Sequence, residues 1–189
     1  MYHRSTPGSR LPCATQTPME IVMSPNKACP VVLSHSSAPR ILLFRHPQAG
    51  VQLVKGTIEA GEAPALAALR ELREESGIET ATVVSDLGCW NAEHLDQVWS
   101  FHLCEVDIPL PEQWTHQTLD DHGHAFAFFW APLDDLPLAE CHPVFRRALK
   151  YLVAATRPIA GKAGLAGDWA GAALRLNPEQ SRSSLTPRG

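Results

Sequence analysis

Glu71, Glu74 and Glu75 lie close together in the stretch GTIEAGEAPALAALRELREESGI, which runs from Gly56 to Ile78. On a helix, at roughly 100° per residue, the three carboxylates fall within an arc of about 100°. Glu71 and Glu75 stand at i,i+4, where like charges repel by about 0.2–0.5 kcal/mol. Glu74 and Glu75 also sit toward the helix C-terminus, the unfavourable end of the macrodipole for anions. Arg70 and Arg73 offer partial relief. A solvated acidic face is the ordinary reading of such a run, but a divalent cation would remove the conflict. Three carboxylates and a loop carbonyl are hard oxygen ligands of the kind that Mg2+ or Mn2+ takes.

A helix has to position these acids. Pro64 suits its first turn, where the missing N–H is not needed. Residues 65–75 are good helix formers, and Gly77 supplies the usual C-terminal stop. Ala65, Leu69, Leu72 and Ser76 fall on the side opposite the glutamates, so that side is expected to face the core. Residues 56–61 are expected to form a tight loop leading into the helix. Around it, CPVVLSHS and RILLFRH read as two strands of a hairpin, joined by a Ser-Ser-Ala-Pro turn. VQLV, TATVVSDLGCW, DQVWSFHLCEV and AFAFFWAPL read as further strands. IPLPEQWTHQTLDDHGH, with two prolines and several turn formers, is expected to be a long loop, and such loops are often functional. HPVFRRALKYLVAA has apolar residues at helical spacing with Pro143 in the first turn, and reads as a second helix.

The central stretch resembles the Nudix box, Gly-x5-Glu-x7-Arg-Glu-U-x-Glu-Glu-x-Gly-U, where U is a bulky aliphatic residue. The fixed positions are Gly56, Glu62, Arg70, Glu71, Glu74, Glu75 and Gly77, with Leu72 and Ile78 at the U positions. The order of strands and helices extends the resemblance from about Pro30 to about Ala155. It implies an α/β fold, the Nudix α/β/α sandwich with a mixed central sheet, and metal-dependent hydrolysis of a pyrophosphate bond. It also implies that Glu71, Glu74 and Glu75 hold Mg2+ or Mn2+ with the carbonyl of Gly56. The implied catalytic residues are Glu71, Arg70 and Glu74. Glu71 would either bind metal or orient and deprotonate the water, and Arg70 would fix a glutamate by a charge-assisted bond. Glu62 and Gly77 are the structural positions of the box; Glu62 would steady the loop against the helix or reach a metal through water.

Beyond the box the candidates are more dispersed. Lys55 and Arg45 are candidates to meet phosphate charge, with a plain surface role as the alternative. Asp120, Asp121, His122 and His124, in the late loop, are candidates for a general base or an extra ligand. Trp90, Trp99, Phe126, Phe128 and Trp130 are candidates for stacking on a base, with core packing as the alternative. The run VKGTIEAGE is similar to the P-K-G-x-x-E-x-G-E of dinucleoside polyphosphate hydrolases, with Val54 in the proline's place. The S-Q-P-W-P-F-P run of NADH pyrophosphatases and the downstream proline typical of ADP-ribose pyrophosphatases are absent. The resemblance therefore implies a nucleoside diphosphate-linked substrate, leaning to dinucleoside polyphosphates or nucleoside triphosphates. Two other readings stay open: an RNA 5′-end pyrophosphohydrolase, and a non-catalytic Nudix-fold module for nucleotide binding or regulation.

The whole chain, at 189 residues with 44% hydrophobic and 19% charged residues, has the composition of one globular domain with tails. Its net charge of −4 gives no strong nucleic-acid signal. No apolar run reaches the length of a membrane span, and the N-terminus shows no secretory h-region. Five scattered cysteines without C-x-x-C spacing point to reduced thiols in a cytoplasmic protein. Residues 1–26 and 157–189 are rich in Ser, Pro, Gly, Ala and Arg and are expected to be disordered or flexible. Residues 27–156 are expected to form the domain, and early proteolytic cuts near Arg10, Lys27, Arg157 and Lys162. The expected ligand is a nucleotide-type small molecule; a homodimer stays open.

Overall fold

The computed structural model describes residues 24–163, apart from Ser37 and residues 119–122, with side chains described as far as residue 157. Its elements run β1 (Lys27–Val32), β2 (Arg40–His46), β3 (Gly50–Gln52), β4 (Gly56–Thr57), α1 (Pro64–Ser76), β5 (Ala81–Asn91), β6 (Val98–Val106), β7 (Gln113–Gln117), β8 (Ala125–Pro132) and α2 (Pro143–Ala163). A single 3-10 turn, Leu138–Glu140, precedes α2. The strands form two four-stranded sheets. One is mixed, in the order β4-β1-β6-β5, with β1 and β6 parallel; the other is antiparallel, in the order β3-β2-β8-β7.

The layering follows from the strand sequences. In β2 the run Ile-Leu-Leu-Phe is apolar at every position, as in a strand covered on both faces. Ile41 and Leu43 join a core with Val31, Trp99, Phe101, Leu149 and Leu152, on the side of α2. Leu42 and Phe44 join a second core with Val54, Leu72, Ile78 and Phe128, on the side of α1. Two helices thus cover opposite faces of the strands in an α/β/α arrangement. Among the described residues no helix is long and apolar enough to cross a membrane.

Three local expectations are corrected. β1 and β2 do not form a hairpin: they belong to different sheets, and a lone antiparallel bridge, Leu33 to Ile41, joins them outside the strands. The doubly apolar β2 pairs instead with the equally apolar β8. The segment read as one long loop contains β7, in which Trp114 and His116 turn inward while their neighbours are exposed. Its prolines lie before the strand, and five residues are too short a run for the alternation to stand out. The stretch from Gly56 begins as a short strand rather than a loop, with Ala28 opposite Gly56 and Lys27 opposite Thr57. That pairing also puts Lys27 inside the folded unit as the first residue of β1, where it is half-buried rather than a ready cleavage site.

Candidate active site

Helix α1 opens with Pro64 and closes at Gly77, whose left-handed backbone (φ 75°) lets its N–H donate to Arg73 O. Its buried positions are Ala67, Ala68, Glu71, Leu72 and Ser76. Leu72 and Ser76 are buried as expected and Leu69 packs on the core, but the buried arc is wider than expected and takes in Glu71. Ala67 and Ala68 pack on Ala28 of β1 through their small side chains, and that rotates Glu71 toward the protein, leaving it only 8% exposed. Of the three acids Glu71 is thus buried, while Glu74 and Glu75 stay partly exposed.

Gly56 is where the main chain meets Glu71. A Cβ at residue 56 would overlap the carboxyl carbon and both oxygens of Glu71. Glycine is required there by close approach, since Glu71 lies directly against the backbone.

Arg70 relieves the acids far more than its sequence position suggests. Nε donates to Glu62 Oε1 at 3.0 Å and Nη2 to Glu62 Oε2 at 2.9 Å, a forked pair. Nη1 donates to Glu71 Oε1 at 2.7 Å and to Glu74 Oε2 at 3.0 Å. Nη2 also donates to Thr57 O at 2.8 Å, so all five N–H groups of the guanidinium are used. Glu62 accepts a further bond from the Glu59 N–H. The hydrogen bonds from Arg70 and that backbone amide hold the Glu62 carboxyl down at about 2. Glu71 moves the other way: burial raises its pKa and outweighs the bond and the charge of Arg70.

The C-terminal turn of α1, which carries Glu74 and Glu75, is held from β7. Trp114 Nε1 donates to Ser76 O at 2.9 Å, with its ring stacked on Phe128 at 4.9 Å. His116 Nε2 meets Glu74 O at 3.2 Å, and a Cβ on Gly77 would come within 2.8 Å of the same imidazole. Two carbonyls left over at the helix end thereby find side-chain partners. The sequence showed no sign of this, because the two donors lie about forty residues downstream in a segment that read as loop.

The acids face a cleft of about 1000 Å3. Glu71, Glu75, Gly56, Lys27 and Lys55 line it beside α1, and His46, Gln52, Phe126, His94 and His142 line it elsewhere. Glu75 buries its Oε2 atom. Glu74 is not among the lining residues; it rests on Arg70. Lys55 lies over Trp99, with Nζ 5.4 Å from the ring. Arg45, proposed for phosphate, is not among the lining residues; it forks onto Glu140, which is, at 3.2 and 3.3 Å. Its neighbour His46 takes the cleft-facing position. Of the late-loop candidates, Asp120, Asp121 and His122 lie outside the described residues. His124 stands at the cleft border, its ring 4.9 Å from that of His46. Trp99 and Phe126 line the cleft although nearly fully buried, whereas Trp90 and Phe128 pack in the two cores and Trp130 donates to Pro111 O.

Lys27, His46, His94 and His142 are among the cleft residues that sequence reasoning missed. Each comes from a different segment, and none carries a spacing signal. His94 is held by the turn between β5 and β6, where Glu93, Leu95 and Asp96 all adopt left-handed backbones (φ 48°, 52° and 53°). Such conformations persist where surrounding structure enforces them; here Asn26 donates to Asp96 O and accepts from the Val98 N–H.

The donor set fits a divalent cation in kind. Glu71 and Glu75 present carboxylate oxygens to one cleft, and the contact between Glu71 and Gly56 brings main chain to the same place. Among the described residues, no three His, Cys, Asp or Glu side chains already surround a common metal position; Arg70 engages Glu71 and Glu74 instead.

A helix of carboxylates is thus set on an α/β/α sandwich, with Glu71 against the main chain at Gly56. Residues 24–152 match the NUDIX domain family model, and the chain belongs to the Nudix family, as a hydrolase acting on pyrophosphate bonds. A search of curated protein sequences found no match. Solved structures share the fold at low identity. An ADP-ribose pyrophosphatase from Streptococcus suis superposes with a TM-score of 0.52 at 16% identity, over 71% of this chain and 93% of that one. A Nudix hydrolase from M. smegmatis gives 0.52 at 19%, over 72% and 88%. A UDP-X diphosphatase gives 0.54 at 15%, over 75% and 68%.

Proposed function

We propose that the chain hydrolyses the pyrophosphate bond of a nucleoside diphosphate-linked substrate, with Glu71, Glu74, Glu75 and the Gly56 carbonyl holding Mg2+ or Mn2+. The observation that carries this reading is the single cleft of about 1000 Å3 in which Glu71 and Glu75 share a wall with Lys55. That volume is at the upper end of ligand sites, which run to about 1,000 Å3. It leaves room for a nucleoside beyond the diphosphate. A bound divalent ion supplies charge neutralisation of the phosphates and a lower pKa for water. The chain's own residues do the rest. Arg70 fixes Glu62, Glu71 and Glu74 relative to the Thr57 carbonyl, so loop and helix move as one body. Glu71, against the main chain at Gly56, is placed to orient the attacking water, and Lys55 meets phosphate charge.

The lean to dinucleoside polyphosphates or nucleoside triphosphates rests on the run from Val54 to Glu62. Two structural neighbours, the ADP-ribose pyrophosphatase and the UDP-X diphosphatase, add ADP-ribose and UDP-linked compounds to the candidates. The test is a panel of these four classes with Mg2+ and with Mn2+, products identified by mass and the cleaved bond located with 18O-water. Hydrolysis at a pyrophosphate linkage, abolished by EDTA, is the expected result. A panel with no turnover in either metal would overturn the reading.

A further inference from the structure

Lys27 opens β1, opposite Thr57 on one side and Trp99 on the other. These pairings carry its side chain into the cleft wall that also holds Lys55, Gly56, Glu71 and Glu75. Its Nζ donates to Thr57 Oγ1 at 2.6 Å, a neutral hydroxyl. Among the described residues neither Lys27 nor Lys55 comes within the 4.0 Å of a carboxylate that defines an ion pair. Burial, and after it the positive charge of Lys55 nearby, lower the pKa of Lys27 against an opposing pull from Glu71.

A bland role for Lys27 would be counter-ion to Glu71. Yet Glu71 already receives a 2.7 Å bond from Arg70. A lysine beside a divalent cation would also weaken metal binding by like-charge repulsion. Two ammonium groups lining one acidic cleft, neither of them ion-paired among the described residues, make sense if their charge meets an anion that arrives with the metal. We propose that Lys27 anchors the phosphate chain of the substrate, its ammonium group binding non-bridging oxygens beside those met by Lys55. The anchoring forms and breaks no covalent bond. It rests on the pyrophosphate reading above and adds to it a residue from outside the box.

The test uses the full chain and methylenediphosphonate, whose bridging carbon cannot be hydrolysed. Binding is measured by calorimetry at saturating Mn2+, with Mn2+ alone titrated separately. A charge-assisted hydrogen bond lost from the ligand corresponds to about a tenfold weaker Kd. Lys27→Gln is therefore expected to weaken the diphosphonate about tenfold while leaving Mn2+ binding equal or tighter. Lys27→Arg should restore most of the affinity. Lys150→Gln, which removes an exposed charge from α2, should change neither, separating a local contact from net charge. Unchanged diphosphonate affinity in Lys27→Gln, with tighter Mn2+, would overturn the anchor in favour of the counter-ion. Failure of the wild-type chain to bind the diphosphonate would instead overturn the pyrophosphate reading, and the anchor with it.

Discussion

The two helices cover opposite faces of the same strands, but they are built for different tasks. α2 buries Val144, Phe145, Ala148, Leu149 and Leu152 in the larger core. α1 buries two alanines, one leucine, a serine and a glutamate. Large apolar side chains fix α2 by area removed from water. α1 gives up that area to bring Glu71 against Gly56, and is held instead by hydrogen bonds: Arg70 at its loop side, Trp114 and His116 at its C-terminal turn. A helix that carries a site is positioned by directional contacts, because apolar burial alone leaves its rotation and the aim of its acids loosely set.

That contrast can be broken at several points, the largest effect first. Glu75→Gln removes a charge from the site helix without touching either core. A bound metal contributes several kcal/mol to transition-state stabilisation, so turnover is expected to fall on the order of a hundredfold or more. Circular dichroism should be unchanged, and the rise in Tm expected of the wild type in millimolar Mg2+ should shrink. Retained turnover would remove Glu75 from the metal set.

Gly56→Ala drives a methyl group into the Glu71 carboxylate. A displacement of about 1 Å can cost as much as a hundredfold in rate. Loss of turnover with a preserved near-UV spectrum is the expected result, and wild-type kinetics would show that the contact is dispensable. On the other helix, Leu149→Ala should behave in the opposite way. Truncating this fully buried residue should cost about 2–5 kcal/mol of stability, read by urea unfolding, with kcat of the folded fraction unchanged. A fall in kcat would mean that α2 shapes the site as well as the core.

Trp114→Phe keeps the stack on Phe128 and removes the donor to Ser76 O. About 1 kcal/mol of stability is expected to go, together with a weaker Mn2+ signal in a paramagnetic titration; unchanged Mn2+ affinity would make the contact purely structural. The smallest effect concerns pH. Glu62 is lowered from 4.5 to about 2 in the folded chain. Its stabilising contribution is therefore complete above 4.5 and lost as pH falls toward 2. The gap in Tm between wild type and Glu62→Gln should narrow over that window, and a constant gap would point to a contact independent of charge.

The residues of the box were legible because both their separation along the chain and the helical period are local. Pro64, the run of helix formers and Gly77 fix where α1 starts and stops, so Glu71, Glu74 and Glu75 must share one arc. The side of the helix that arc would face was not legible. The wheel offered Leu69 and Leu72 as the inward side, and both pack on the core, but Ala67 and Ala68 also approach β1 closely, which widens the buried arc to take in Glu71. The gathering of Lys27, His46, His94 and His142 around one cleft was likewise hidden. It depends on the parallel pairing of β1 with β6 and on β1 and β2 parting into separate sheets. Sequence by itself determined the family of this protein and the donor chemistry of its helix, through residue types at helical spacing. Tertiary structure alone decided what that chemistry faces, because strand register is set by contacts between segments tens of residues apart that leave no periodic trace in either one.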